Sequence, residues 1–160
     1  MSDDIYSFDT SALIESWRRV YPPASFPALW ERLDEIYDLG RLFASEEVLR
    51  ELEKKDDAVH AWAAERRDLF LPMNDGVVAQ AQAIMSQYPT WAKNFGATSR
   101  NRADPFVVAL AKVNGWVVVT YEKPNAGSIT RPKIPYVCRE LDVECIAPVE
   151  LITREGWVFS

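Results

Sequence analysis

Histidine is scarce in this chain. His60 is the only one in 160 residues, and it lies in the charged helical stretch KKDDAVHAWAAERRD. One imidazole cannot build the usual multi-histidine zinc site. A Ser-His-Asp or Cys-His arrangement would have to use it, and nothing nearby supports one. His60 therefore reads as an exposed or half-buried helix residue. Cysteine is scarce too. Cys138 and Cys145 are not spaced like a metal knuckle and read as reduced core residues. The six glycines are scattered singly, so no glycine-rich phosphate loop forms. No apolar run approaches the roughly 20 residues that span a bilayer. The N-terminal MSDDIYSFDT is acidic and does not read as a signal peptide, so a cytoplasmic protein is expected. Basic residues are outnumbered, 18 to 24, for a net charge of -6. What remains to carry chemistry is carboxylates.

Hydrophobic residues make up 48% of the chain, enough for one domain with a proper core over residues 1–160. Residues 4 to 9 read as a short strand, with Thr10 or Ser11 capping a helix behind it. Leu13, Ile14, Trp17 and Tyr21 recur at helical spacing until Pro22-Pro23 stop the run. SFPALWERLDEIYDLG gives a second helix, with Ser25 as a cap and Gly40 as its end. RLFA is a brief strand, and SEEVLRELEKK a helix capped by Ser45. DAVHAWAAERRD is a helix with Ala61, Trp62 and Ala64 turned inward, LFLPM is short and apolar, and DGVVAQAQAIMSQY is helical. A further turn of helix is expected over 90–95, followed by the loop GATSRNRA. Asp104-Pro105 opens the next helix, which Asn114-Gly115 closes. WVVVTYE is a buried central strand ending at Glu122. IPYVCREL is a short helix, VECIA a last strand and PVELITRE a terminal helix. Helices alternating with short apolar strands imply an α/β domain, three layers α/β/α around a mostly parallel sheet.

In an open parallel sheet, ligands bind beyond the carboxyl ends of the strands. Asp9 falls at the end of the first strand and Glu122 at the end of WVVVTYE. Asp104 begins the helix leading into that strand, so it belongs at the same edge. Glu51 lies one or two turns into the helix after RLFA. These four carboxylates are expected to meet in one cleft. Close acids repel, and a hard divalent cation such as Mg²⁺ or Mn²⁺, which favours oxygen ligands, removes the conflict. Taken singly, each acid is an ordinary strand-end or helix-cap residue.

The ordered set FDTSALI, EEVLREL, RADPFVVALAK and VVVTYEK resembles the PIN domain family, and is nearest to the PIN-like toxins of bacterial toxin–antitoxin pairs. The similarity spans roughly residues 4 to 150. Asp9 with Ser11 matches the family's strand-end Asp and its following hydroxyl. Glu51-Leu52 matches the mid-chain helical Glu, with Glu47 one turn earlier as the alternative. Asp104 matches the helix-opening Asp. Thr120-Tyr121-Glu122 stands where the family has Thr-x-Asp, a departure that leaves open whether Glu122 meets metal directly or through water. The resemblance implies an Mg²⁺- or Mn²⁺-dependent endoribonuclease silenced by a cognate antitoxin protein. Asp9, Glu51, Asp104 and Glu122 would be the catalytic and metal-binding residues, supported by Ser11 and Thr120.

An RNA substrate demands cations. Between residues 93 and 133 seven basic residues face two acids, so this segment carries +5 while the rest carries -11. Arg100, Arg102, Lys123, Arg131 and Lys133 are the expected phosphate contacts, against the alternative of solvated loop charges. An antitoxin or a homodimer partner is a further expectation, its surface drawn from exposed Trp or Leu of the early helices. Two other readings compete: a PIN-like fold without turnover, serving as an interaction or nucleic-acid-binding module, and an unrelated α/β phosphatase. The phosphatase would usually have a second acid two residues after its nucleophilic Asp, where this chain has Ser11.

Overall fold

A computed structural model describes residues 2–93 and 103–160. Five strands, β1 (Tyr6–Phe8), β2 (Leu42–Ser45), β3 (Phe70–Leu71), β4 (Val117–Val119) and β5 (Cys145–Ile146), form one sheet in the order β3-β2-β1-β4-β5. Every pairing is parallel, with Tyr6 opposite Leu42 on one side and Val117 on the other. The chain thus works outward from β1 first to one edge and then to the other, which leaves a crevice at the carboxyl ends beside β1.

Side-chain alternation assigns the faces. The Tyr6 hydroxyl reaches Glu155 of α9 (Pro148–Glu155) at 2.5 Å, whereas the Ser7 hydroxyl reaches the Val107 carbonyl of α7 (Asp104–Asn114) at 3.3 Å. β1 therefore shows Tyr6 and Phe8 to one helical layer and Ser7 to the other. α7 lies against the sheet beneath α5 (Asp75–Gln87), and its residues 104–111 are all buried. That is why its sequence is apolar on most sides rather than along a single stripe.

The remaining helices are α1 (Thr10–Glu15), α2 (Pro27–Asp38), α3 (Glu46–Lys55), α4 (Asp57–Ala64), α6 (Pro89–Lys93) and α8 (Ile134–Glu140). α1 widens into π-helical turns over Ser16–Val20. Trp17 of these turns meets Trp30 of α2 edge-on at 4.9 Å, and Trp30 meets Trp62 of α4 at 5.5 Å, geometries favoured by the aromatic quadrupole.

Several sequence expectations change. The first helix is capped by Asp9, not Thr10 or Ser11: the Asp9 carboxylate accepts the Ala12 N–H at 2.7 Å. The cap residue of α2 is Phe26 rather than Ser25. In α4, Val59, Trp62 and Ala63 are buried, while Ala61 and Ala64 face solvent, because spacing of three and four, not of adjacent alanines, defines one helical face. β4 stops at Val119, so Glu122 lies in the loop beyond the strand. Helix α6 is described as far as Lys93, and the rest of the expected turn, with residues 94–102, falls outside the described residues. Cys138 is buried, Cys145 half-buried, and both are free thiols. Among the described residues no helix is long and apolar enough to cross a membrane.

Candidate functional site

A cleft of about 380 Å³ opens beyond the carboxyl ends of the central strands, and Asp9, Glu51, Asp104 and Glu122 all line it. Each acid is delivered differently. Asp9 follows β1 directly and turns the chain into α1, so capping fixes its side chain. The Ser11 hydroxyl donates to both of its oxygens, at 2.9 and 3.0 Å, and the Thr120 hydroxyl donates to Oδ2 at 2.5 Å. Because Asp9 takes the capping role, the Thr10 hydroxyl is left to donate to Glu51 Oε2 at 3.0 Å. Glu51 Oε1 accepts the Ala103 N–H at 3.1 Å, which ties α3 to the start of α7.

Glu122 leaves the strand end yet remains at the site. Its N–H donates to Thr120 Oγ1 at 3.1 Å, and its Oε2 accepts the Ile134 N–H at 2.9 Å. The longer side chain bridges the gap left by the earlier strand end, and it anchors on the first turn of α8, where backbone donors lack helical partners. Thr120 thus holds Asp9 and Glu122 together. Asp104 differs from the others. It opens α7 at the sheet edge, is buried, and its Oδ2 accepts no hydrogen bond.

The electrostatics follow from this crowding. Burial raises the Asp9 carboxyl to about 7; the bonds from Thr120, Ala12 and Ser11 oppose the rise, and nearby Glu122 adds to it. Burial also drives Asp104 well above the ordinary carboxylate range, with Glu122, Asp9 and Glu51 pushing the same way and Lys133 opposing. Glu122 is raised by burial, against the Ile134 N–H and Lys133. Of the four acids, Glu51 has a lysine beside it, Lys55 at 3.7 Å, whereas burial and the neighbouring acids favour the protonated form of Asp9 and Asp104 when no cation is bound.

Glu47, the alternative mid-chain acid, is buried against Arg50, its ion-pair partner. Lys123, Arg131 and Lys133 are exposed, and Lys133 is close enough to act on Asp104 and Glu122. Arg100 and Arg102 lie outside the described residues. Sequence reasoning missed Arg18 and Lys55, which line the cleft beside Glu15 and Ile14. Lys55 had a signal: it lies four residues after Glu51, on the same helical face. Arg18 had none, because a π-turn shifts the register after Glu15.

Among the described residues no three acidic, cysteine or histidine side chains form a ready metal cage. The oxygens present nonetheless fit a hard, hydrated cation. Mg²⁺ commonly takes one or two carboxylates and keeps several waters, and the unbonded Asp104 Oδ2 is the atom such a ligand would satisfy.

The crystal structure of FitAcB from Neisseria gonorrhoeae matches with a TM-score of 0.52 at 20% identity, covering 91% of this chain and 99% of that one. At that identity the likeness is one of fold. No curated protein matches. The model of a family described as a domain of unknown function (DUF4411) matches residues 6–159, from β1 past the end of α9, and the chain belongs to that family.

Proposed function

We propose that the chain is a metal-dependent endoribonuclease, acting as the toxin of a toxin–antitoxin pair. The observation that carries this reading is the buried, unbonded Asp104 Oδ2 sharing a cleft with three further carboxylates. A protein pays several kcal/mol to bury such a group unless a ligand satisfies it. The motif order that resembles the PIN toxins supplies the substrate class, RNA, and the kind of partner, a cognate antitoxin protein.

Asp9 and Asp104 would hold Mg²⁺ or Mn²⁺, with Glu51 and Glu122 close by, directly or through water. When bound, the cation supplies an acidified water and charge stabilisation for a phosphodiester in transition. The chain's own groups do the positioning. Ser11 and Thr120 fix the orientation of Asp9, Thr10 and the Ala103 N–H fix Glu51, and the Ile134 N–H fixes Glu122. Lys133, with Lys123 and Arg131 along the same loop, offers positive charge to the RNA backbone.

The test is cleavage of single-stranded RNA with and without EDTA. Activity should vanish in EDTA and return with Mn²⁺. Asp9→Asn and Asp104→Asn should each lower the rate by about a hundredfold or more, since each decade corresponds to about 1.4 kcal/mol of lost charge stabilisation. Folded wild-type protein that leaves RNA intact in Mg²⁺ and Mn²⁺ refutes the reading.

A further inference from the structure

The acidic cleft has a basic edge away from the 93–133 segment. Arg18 and Lys55 line it from the α1 and α3 side, and the Lys55 ammonium stands 3.7 Å from Glu51 Oε2. Three observations single out Arg18. It stands in the π-helical turns Ser16–Val20, a distortion that is frequent at functional sites because it re-aims side chains. Its guanidinium is braced: Nε donates to the Asp56 carboxylate and Nη2 to the Lys55 carbonyl, at 2.7 Å for the latter. Even so, the side chain is 53% exposed, so the bracing fixes its position without enclosing it. Neighbouring Arg19 is different. It pairs with Glu15 at 2.8 Å, is 71% exposed, and is not part of the cleft lining.

A polyanion entering a cleft of four carboxylates needs positive charge on both sides of its path, or repulsion from the acids turns it away. A guanidinium held in place loses little entropy on binding and presents a planar fork suited to phosphate oxygens. We infer that Arg18 and Lys55 form a second phosphate-binding edge, holding an RNA phosphate beside the one at the carboxylates. The strand then lies along this edge of the cleft, beside the four carboxylates. The inference rests on the nuclease reading above and deepens it by naming residues that position the substrate.

The experiment measures binding of a short labelled single-stranded RNA by fluorescence anisotropy in Mg²⁺, over a range of KCl. The Asp104→Asn protein serves as parent so that the RNA stays intact. Arg18→Gln and Lys55→Gln should each reduce the slope of log affinity against log salt by about 0.7, the value for one phosphate contact to a single strand, and the double variant by about 1.4. Near 0.15 M salt each loss amounts to about fourfold in affinity. Arg19→Gln removes the same charge one residue away and should leave the slope unchanged. Melting temperature is recorded alongside. If Arg18→Gln lowers the melting temperature but keeps the parental slope, the Arg18–Asp56 pair is structural only and the inference is overturned. The same holds if Arg19→Gln reduces the slope as much as Arg18→Gln, because the effect is then one of net charge. Failure of the underlying reading looks different: wild-type protein neither binds nor cleaves RNA.

Discussion

Asp9 and Asp104 share the cleft in unlike circumstances. Asp9 accepts from Ser11, Thr120 and Ala12, whereas one oxygen of Asp104 accepts nothing. Both carboxyls are raised, Asp9 from 3.8 to about 7. In metal-free protein the folded state therefore holds protons that the unfolded chain has released. The stability tied to Asp9 is complete below its unfolded value near 3.8 and is lost as pH rises through about 7; the Asp104 contribution runs in the same direction. The sign is opposite to that of an acid held in a salt bridge. Calorimetry in EDTA should thus show a melting temperature that falls between pH 5 and 8, and on the proposed metal-binding reading Mg²⁺ should offset the fall. Asp104→Asn should raise the metal-free melting temperature at pH 7.5, because it removes the cost of ionising a buried acid. A melting temperature that rises with pH in EDTA would count against the burial of these acids. At this scale the sequence was informative about identity and poor on partners. Asp9 and Asp104 could be picked out from a strand end and a helix start, and Glu51 and Glu122 from their places near the same sheet edge. That Asp9 would cap α1 and so leave Thr10 to Glu51 could not, because Asp9, Thr10 and Ser11 are all good caps and only tertiary contacts choose among them.

The element on which most depends is the loop from Lys123 to Lys133 together with the start of α8, because the Ile134 N–H holds Glu122. Gly127 lies inside it at φ +100, and a Cβ there would stand 2.9 Å from both the Cβ and the backbone nitrogen of Lys133. Gly127→Ala should displace Lys133 and Ile134 and cost about 1–3 kcal/mol in backbone strain, with the proposed cleavage falling alongside stability. Gly40 is the comparison: its φ of +70 disfavours a side chain, yet nothing stands within 4 Å, so Gly40→Ala should cost only about 1 kcal/mol and spare cleavage. Paired melting curves and RNA cleavage rates on the two variants check this. Element types were legible where pattern and caps agreed, as with Ser45 before α3 and Asp104-Pro105 at α7. β4 was read too long, since Thr120 and Tyr121 are β-formers by propensity but pairing with β5 ends at Ile146. The π-turns after Glu15 left no trace in the sequence because Trp17 and Tyr21 also fit a regular helix.

Across the whole molecule the two ends of the sheet are held by different means. At the end remote from the cleft, Glu155 of α9 accepts from the Tyr6 hydroxyl at 2.5 Å and from Arg41 at 2.7 Å, and Arg41 also reaches the Asp4 carbonyl at 2.9 Å. This buried knot joins the terminal helix to β1 and the entry of β2. Glu155→Ala leaves Arg41 and Tyr6 without their shared acceptor and should cost about 3–5 kcal/mol. Being remote from the cleft, it should leave the proposed RNA cleavage at low temperature close to wild type. Thermal melts and cleavage at about 15 °C, well below the lowered midpoint expected from that loss, separate the two effects. The α/β alternation was legible from strand and helix lengths alone, but the order β3-β2-β1-β4-β5 was not, because periodicity does not say which strands become neighbours.

The four carboxylates come from the end of β1, the middle of α3, the start of α7 and a loop whose anchor is Ile134. No stretch of chain brings two of them into the cleft without the intervening helices. A nascent polypeptide therefore holds no finished acidic centre until synthesis has passed Ile134, and proteolysis between Glu122 and α8 would sever the covalent link between Glu122 and the turn that anchors it. If the centre attacks RNA, a ribosome making this protein is spared its product until Ile134 has been made.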